Sequence, residues 1–521
     1  MKDNAILSAL ASEIERLEAS LKATKLEYTQ LKNSIAAITI LPNELLASIF
    51  EAGCNTHDTW AIPLPPLHSA RSNGKLLGTR DPLQEPPFEI LVSHITRHWR
   101  NVAHTTPSLW TRITLDTRTQ HFLDIGADYI TRSGALPLDI RIDMTYIRSL
   151  PPPIKTICHL ISPEMRRWGQ LRVKSDWYPG LQYMLESMPG HAPILEYMDL
   201  CYENPNVLPP DDPEHPEMVL TGRVSCLTHM VLKGVTLRCH LPPLAALTSL
   251  ECHCMQLNSA HHMVHDLFEN LTQLTRLVLN DVDFDWANVD GIELPALVAL
   301  YLRNIPDYDQ VLSVISAPSL QTLYLNTVDS NEMLNFPNAL ALESGQTKFP
   351  HLRTFFIKPV QYEPFFVSPE SWRALALITP TVTHFGLLHD DVDKFLQAFA
   401  YTTASDTTSS IATSLPIAWP ELHTLSLPEG SHTNLLDDIL SARVTSHCPI
   451  RKLQISDSIK AWLGGGLEAW RGILDIVECD ETVKKELYPV LWRGEVRDGD
   501  SWVDDGNAIS DFTDTSSVGS S

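Results

Sequence analysis

The sequence predicts an α/β protein in three blocks: a long N-terminal helix, a small all-α module, and a repeat array laid on one parallel sheet. Three observations carry this. Apolar residues step by three and four through the first thirty-eight positions. A short Pro-led apolar helix follows at Leu41–Phe50. From about residue 193 the pattern L-x-x-L-x-L recurs to residue 455.

The first block spans residues 1–38. Leu7, Leu10, Ile14, Leu17, Leu21, Thr24, Tyr28, Leu31, Ile35 and Ile38 alternate steps of three and four. This is the seam of a coiled coil, with Glu13, Glu15, Arg16, Glu18, Lys22, Lys25, Glu27 and Lys32 outside it. No Pro or Gly interrupts residues 5–38. The alternative is a single helix lying on the neighbouring domain. Thr24 and Tyr28 weaken the seam, so the oligomer number stays open; a homodimer through this helix is one outcome.

The second block spans residues 39–110. Pro42 suits a first helical turn, where its missing N–H is not needed. Leu41, Leu45 and Ile49 recur every four residues, with Leu46 and Phe50 beside them. So short a helix needs something to pack on. Residues 55–88 carry six prolines (Pro63, Pro65, Pro66, Pro82, Pro86, Pro87) and read as a mobile insertion loop. Ile90, Leu91, Val92, Ile95, Trp99, Val102 and Ala103 then predict one further helix, stopped at Thr105-Thr106-Pro107.

The third block spans residues 111–493. Strands are expected at Ile113–Leu115, Leu136–Ile142 and Leu171–Val173, and helices near 119–133 and 153–166. The triplets then run Leu195/Met198/Leu200, Leu227/Met230/Leu232, Leu247/Leu250/Cys252, Leu274/Leu277/Leu279 and Leu297/Leu300/Leu302. They continue Leu320/Leu323/Leu325, Leu352/Phe355/Ile357, Val382/Phe385/Leu387, Leu422/Leu425/Leu427 and Ile450/Leu453/Ile455. Their starts lie 32, 20, 27, 23, 23, 32, 30, 40 and 28 residues apart, which matches an irregular leucine-rich-repeat solenoid with loop insertions. Each unit is a strand and a return segment that cannot bury its apolar face alone; stacking supplies one continuous core. Val264–Phe268 and Val311–Ile315 read as helical returns. The Ser/Thr-rich stretch 403–414 reads as a loop, and 460–493 as a final helical cap. From Gly494 to Ser521 the acidic, Ser-rich tail is expected to be disordered.

The 521 residues carry 39 Lys and Arg against 63 Asp and Glu, a net charge of −24. Such a chain repels phosphate backbones, and no basic stripe compensates, so no nucleic-acid partner is expected. No apolar run is long enough to span a membrane, so none is expected there either. Nine cysteines, an odd and scattered set, fit reduced thiols in cytoplasm or nucleus. His261-His262-Met263-Val264-His265 lacks the Glu of the zinc-protease pattern, and Cys252-His253-Cys254, near Cys239-His240, lacks C-x-x-C spacing. On a strand Cys252 and Cys254 share one face, so both read as core. Gly464-Gly465-Gly466 has no phosphate-loop Lys after it. The expectation is a protein without metal, cofactor or catalytic residues.

Leu41-Pro42-x-Glu44-Leu45-Leu46-x-x-Ile49-Phe50, with Val92-x-x-Ile95-x-x-x-Trp99-Arg100-x-Val102-Ala103 and Pro107-x-Leu109-Trp110, resembles the F-box. More narrowly, the order of heptad helix, this motif and irregular leucine-rich repeats is similar to the large F-box-like family of fungi. The resemblance covers nearly the whole chain up to the tail. It departs at the 55–88 insertion and at His94, where the family usually has Cys. It implies docking on the Skp adaptor, and through it the cullin, of an SCF-type E3 ubiquitin ligase. Leu41, Pro42, Leu45, Ile49 and Phe50 would then form the first contact, and Val92, Ile95 and Trp99 the second. The repeats would hold an unknown protein target, making the chain a substrate-recognition subunit. The alternative function is a leucine-rich-repeat interaction scaffold with no ligase. A separate structural alternative makes Leu41–Phe50 simply the N-terminal cap of the repeat array, covering its first strand.

Overall fold

The structure, a computed structural model, describes residues 2–34, 41–56, 86–119, 121–145, 153–188, 191–203, 224–235, 244–257, 264, 267–268, 270–284, 286–289, 291–342, 344–360, 367–389, 392, 395–397, 399, 418–428, 435–456, 459–460, 470 and 474–478. Most of the 55–88 insertion, His261, His262 and His265, Cys239-His240, the 403–414 stretch, Gly464–Gly466 and the acidic tail lie outside the described residues.

Helix α1 runs Lys2–Ser34. Every one of its described side chains is exposed, and Leu10, Ile14, Leu17 and Leu21 are each more than half exposed. Among the described residues, the seam from Leu10 to Leu31 therefore lies bare and does not pack on the neighbouring domain.

The helical module holds α2 (Asn43–Thr56), α3 (Phe88–Ile95) and α4 (Arg97–His104), followed by a 3-10 turn at Pro107–Trp110. Pro42 stands just before α2, where its carbonyl accepts from Leu45 N and Leu46 N, both at 3.1 Å. The single helix expected over 90–103 is two. Thr96, extended at φ −141 and ψ 164, breaks it and caps α4 by accepting from Trp99 N at 3.0 Å. Arg100 Nε donates to Ser93 O at 2.8 Å across the break. The helical period survives such a corner because Val92 and Val102 both face inward.

Among the described residues, one parallel sheet of fourteen strands follows. Its members are β1 (Arg112–Asp116), β2 (Leu138–Asp143), β3 (Trp168–Ser175), β4 (Tyr197–Tyr202), β5 (His229–Lys233), β6 (Ser249–Leu257) and β7 (Arg276–Phe284). A two-residue strand β8 (Ile292–Glu293) stands outside it, before β9 (Ala299–Arg303), and pairs with β10 (Ile315–Ser316). The large sheet continues with β11 (Thr322–Val328), β12 (Thr354–Pro359), β13 (His384–Leu387), β14 (Thr424–Leu427), β15 (Lys452–Ile455) and β16 (Asp475–Glu478). Its strands neighbour one another in chain order throughout. Helical returns include α5 (Phe122–Arg132), α6 (Pro153–Ile161), α7 (Tyr178–Glu186), α8 (Tyr308–Val314), α9 (Ser330–Ala339), α10 (Pro369–Ile378) and α11 (Leu435–Thr445).

The register places like positions of the leucine pattern side by side. Met198 pairs with Met230, Met230 with Leu250, Leu250 with Leu277 and Leu277 with Leu300. Leu302 then pairs with Leu325 and Leu325 with Ile357. A one-residue slip would turn each strand's apolar set out of the core, so burial of this face holds the register. The sheet begins earlier than the clear pattern: Ile113 pairs with Ile140 and Ile140 with Leu171. It also ends later. Residues 475–478, expected within a helical cap, form β16, with Ile476 beside Leu453.

A further apolar position precedes most of the triplets by three residues and is absent from the sequence-derived motif; Thr379 before Val382 and His447 before Ile450 are the exceptions. Leu247 N donates to Leu244 O at 2.9 Å, Leu274 N to Leu271 O at 3.1 Å and Leu352 N to Phe349 O at 3.1 Å. The same turn buries Leu244, Leu271, Leu294 and Phe349. It delivers the chain onto the sheet, so the repeating unit is longer than L-x-x-L-x-L.

Candidate functional site

Helix α2 has two apolar faces. Leu46 and Phe50 point inward: Phe50 is 1% exposed and its ring lies 5.1 Å from that of Trp99. Leu45 and Ile49, one residue earlier on each turn, stay 52% and 47% exposed. Helix α3 repeats the division. Val92 is buried, while Leu91 and Ile95 are 39% and 56% exposed. Of the sequence-derived contact residues, Pro42, Leu45, Ile49 and Ile95 are therefore available to a partner. Leu41 and Trp99 are half-buried against the core, and Phe50 and Val92 belong to the core itself. Leu91 was missed. It shares the exposed face with Ile95 four residues on, but periodicity alone does not separate it from Val92.

A shared interior locks the two helices. A Cβ on Gly53 would stand 2.2 Å from the Phe88 ring, so α2 and the start of α3 approach at a point only glycine permits. The module is also tied to the sheet. Tyr129 of α5 donates to Glu89 of α3 at 2.6 Å; within the module Ser108 of the 3-10 turn donates to Glu51 of α2. Arg112 of β1 donates to Cys54 O at 3.2 Å and Asn55 Oδ1 at 3.0 Å. Trp110 is fully buried at the joint. Its indole donates to Ala103 O at 2.8 Å, Tyr129 meets it edge-on at 5.0 Å, and Arg132 lies over it at 4.5 Å.

The sheet face opposite the leucine columns is a second surface. In the half nearer the module it is charged, and the charges answer one another. Arg276 donates to Glu251 at 2.6 Å, and His253 sits 3.5 Å from the same carboxylate. Burial pushes the Glu251 carboxyl up, but His253 and Arg276 outweigh it and hold the group at about 2. Asp199, deeper, is raised by burial despite Arg172 nearby. Further along the face turns aromatic: Tyr301, Tyr324 and Phe356 follow one another at 6.1 and 6.3 Å. His384 meets Phe356 edge-on at 4.8 Å and contacts Ser426 Oγ through Nε2 at 2.7 Å. Burial, with Lys452 nearby, holds His384 down at about 4, so it is neutral at pH 7.

Burial pushes the thiols of Cys54, Cys201 and Cys252 up to about 12, which keeps them protonated and poorly nucleophilic. Among the described residues no three His, Cys, Asp or Glu side chains converge to hold a metal. Among the same residues no helix is long and apolar enough to cross a membrane. No known family model matches the chain, and no curated protein matches it.

Proposed function

We propose that the chain is a substrate-recognition subunit of an SCF-type E3 ubiquitin ligase, a binding protein and not an enzyme. Its helical module, in this reading, is an F-box that docks on a Skp-type adaptor through Pro42, Leu45, Ile49, Leu91 and Ile95. Its sequentially ordered parallel sheet is a leucine-rich-repeat solenoid that holds a protein target. One observation carries the reading most directly. Two short neighbouring helices each spend one apolar face on a common core and leave a second apolar pair exposed, Leu45/Ile49 and Leu91/Ile95. Exposed apolar pairs at helical spacing suit a partner's groove. The ties of Glu89 to Tyr129 and of Cys54 and Asn55 to Arg112 of β1 support a role in which two bound proteins are held at a set separation. Bringing a target near a ligase raises its local concentration without any bond chemistry in this chain.

The test is capture of a purified Skp-type adaptor by the full chain. Wild type should bind it, and Leu45→Asp with Ile49→Asp should abolish capture while the melting curve stays nearly unchanged, because both side chains are exposed. Intact capture by the double variant would move the docking site elsewhere. No capture by wild type would leave the interaction scaffold as the better reading.

A further inference from the structure

The bare seam of α1 carries information about which way a partner helix runs. The 3,4 spacing assigns Leu10, Leu17, Thr24 and Leu31 to the d positions, and Ile14, Leu21 and Tyr28 to the a positions. Flanking the seam, Glu13, Ser20 and Glu27 then fall at g, and Glu18, Lys25 and Lys32 at e. Two parallel copies would set each g against the following e. Glu13 would face Glu18 of the second copy, a like-charge pair, and Glu27 would face Lys32, an opposite one. The weak seam residues would also stack on themselves, Thr24 on Thr24 and Tyr28 on Tyr28, in adjacent layers.

Antiparallel pairing removes both defects. With Leu21 opposite Thr24 of the second copy, Tyr28 falls opposite Leu17 and Ile14 opposite Leu31. Every weak residue then meets a leucine. The e positions now face one another, and Glu18 meets Lys25 of the second copy, twice by symmetry. The other flanking pairings bring together at most one charge. Glu13 is already paired within its own helix, with Arg16 at 2.7 Å, so Glu18 and Lys25 form the interchain contact.

We propose that α1 is the site of an antiparallel homodimer of this chain. The proposal rests on reading α1 as a coiled-coil segment and does not depend on adaptor capture. Its consequence is spatial. At 1.5 Å per residue the 33-residue helix is about 50 Å long. In this register Ser34 of one copy lies opposite Ala11 of the other, so the two helical modules would leave the pair at opposite ends, about 35 Å apart, with one Leu45/Ile49 face at each end.

Charge reversal at Glu18 distinguishes the orientations by sign. In the antiparallel pair Glu18→Lys sets two lysines together, at both symmetric contacts; in a parallel pair it converts the Glu13–Glu18 repulsion into attraction. Sedimentation equilibrium of the full chain should show a concentration-dependent dimer that Glu18→Lys weakens roughly tenfold. Adding Lys25→Glu should restore the affinity. Tighter association of Glu18→Lys, a wild type that stays monomeric at ~100 µM, or a larger oligomer would each overturn the proposal. Capture of the purified adaptor, measured on the same samples, reports separately on the ligase reading, because the charges changed lie on α1 and the docking residues do not.

Discussion

Gly386 shows how one residue shapes the sheet's second face. It stands beside Phe356 in the β12–β13 register, and a Cβ there would lie 2.1 Å from the Phe356 ring. The ring fills the space a side chain would occupy and extends the aromatic run begun by Tyr301. Gly386→Ala should therefore destabilise the fold by about 1–3 kcal/mol through overpacking. Phe356→Leu in the same chain should recover part of that loss; a denaturant midpoint unchanged by Gly386→Ala would refute the packing. Cys254 is the residue where strand alternation misleads. Its φ of +50 places it in the left-handed region, and the pairing passes from His253–Asn280 to Met255–Val282 around it. Cys252 stays in the core while Cys254 turns partly out, contrary to the shared face expected of a regular strand. Arg443 is fully buried and donates to the carbonyls of Ala418 at 3.0 Å, Trp419 at 2.9 Å and Cys448 at 3.0 Å. Nothing local marks it as different from a surface arginine on an amphipathic helix, since the Ala418 and Trp419 carbonyls that bury it come from another turn of the chain.

Among the elements, α9 starts with a capping box. Asp329 accepts from Glu332 N, and Asp329 N donates to Glu332, both at 2.7 Å. The cost of this cap depends on pH. Burial, aided by the neighbouring Asp329, raises the Glu332 carboxyl to about 7 against backbone donors that pull it down. A raised carboxyl binds its proton more tightly in the folded chain than in the unfolded one. Its favourable contribution is complete below the ordinary carboxylate pKa and is lost as the pH rises to about 7. Glu332→Gln keeps an acceptor for Asp329 N and carries no charge. Between pH 5 and pH 8 it should gain roughly 1 kcal/mol over wild type, after allowance for solvent screening. Parallel stability curves across that range would contradict the assignment. Helix α2 teaches a related lesson. Its period identifies an apolar stripe, but both Leu45/Ile49 and Leu46/Phe50 satisfy it, and only the packing of α3 and α4 decides which pair is interior.

For the whole molecule, strictly sequential parallel pairing makes each strand depend on its immediate neighbours, and the core runs unbroken from the helical module to β16. Helix α1 stands outside that core. Deleting residues 2–40 should leave the melting temperature within about 2 °C of the intact chain. The same deletion should reduce the dimer to a monomer in sedimentation. A large loss of melting temperature would mean that α1 packs on the body.

The heptad helix, the short Leu41–Phe50 helix and all ten strands of the leucine pattern were legible from the order of residues, because each is written as a short-range period of apolar side chains. Tertiary structure alone decided the rest. It joined the strands expected at Ile113–Leu115, Leu136–Ile142 and Leu171–Val173 to the same sheet, and it carried that sheet forward to Glu478, where a helical cap was expected but the neighbouring strand still offers a pairing edge. It split the second module helix at Thr96, and it removed Phe50 and Val92 from the exposed face while adding Leu91. Periodicity records that a side chain is apolar and on which turn it falls; whether core or partner covers it depends on what the rest of the chain packs against it.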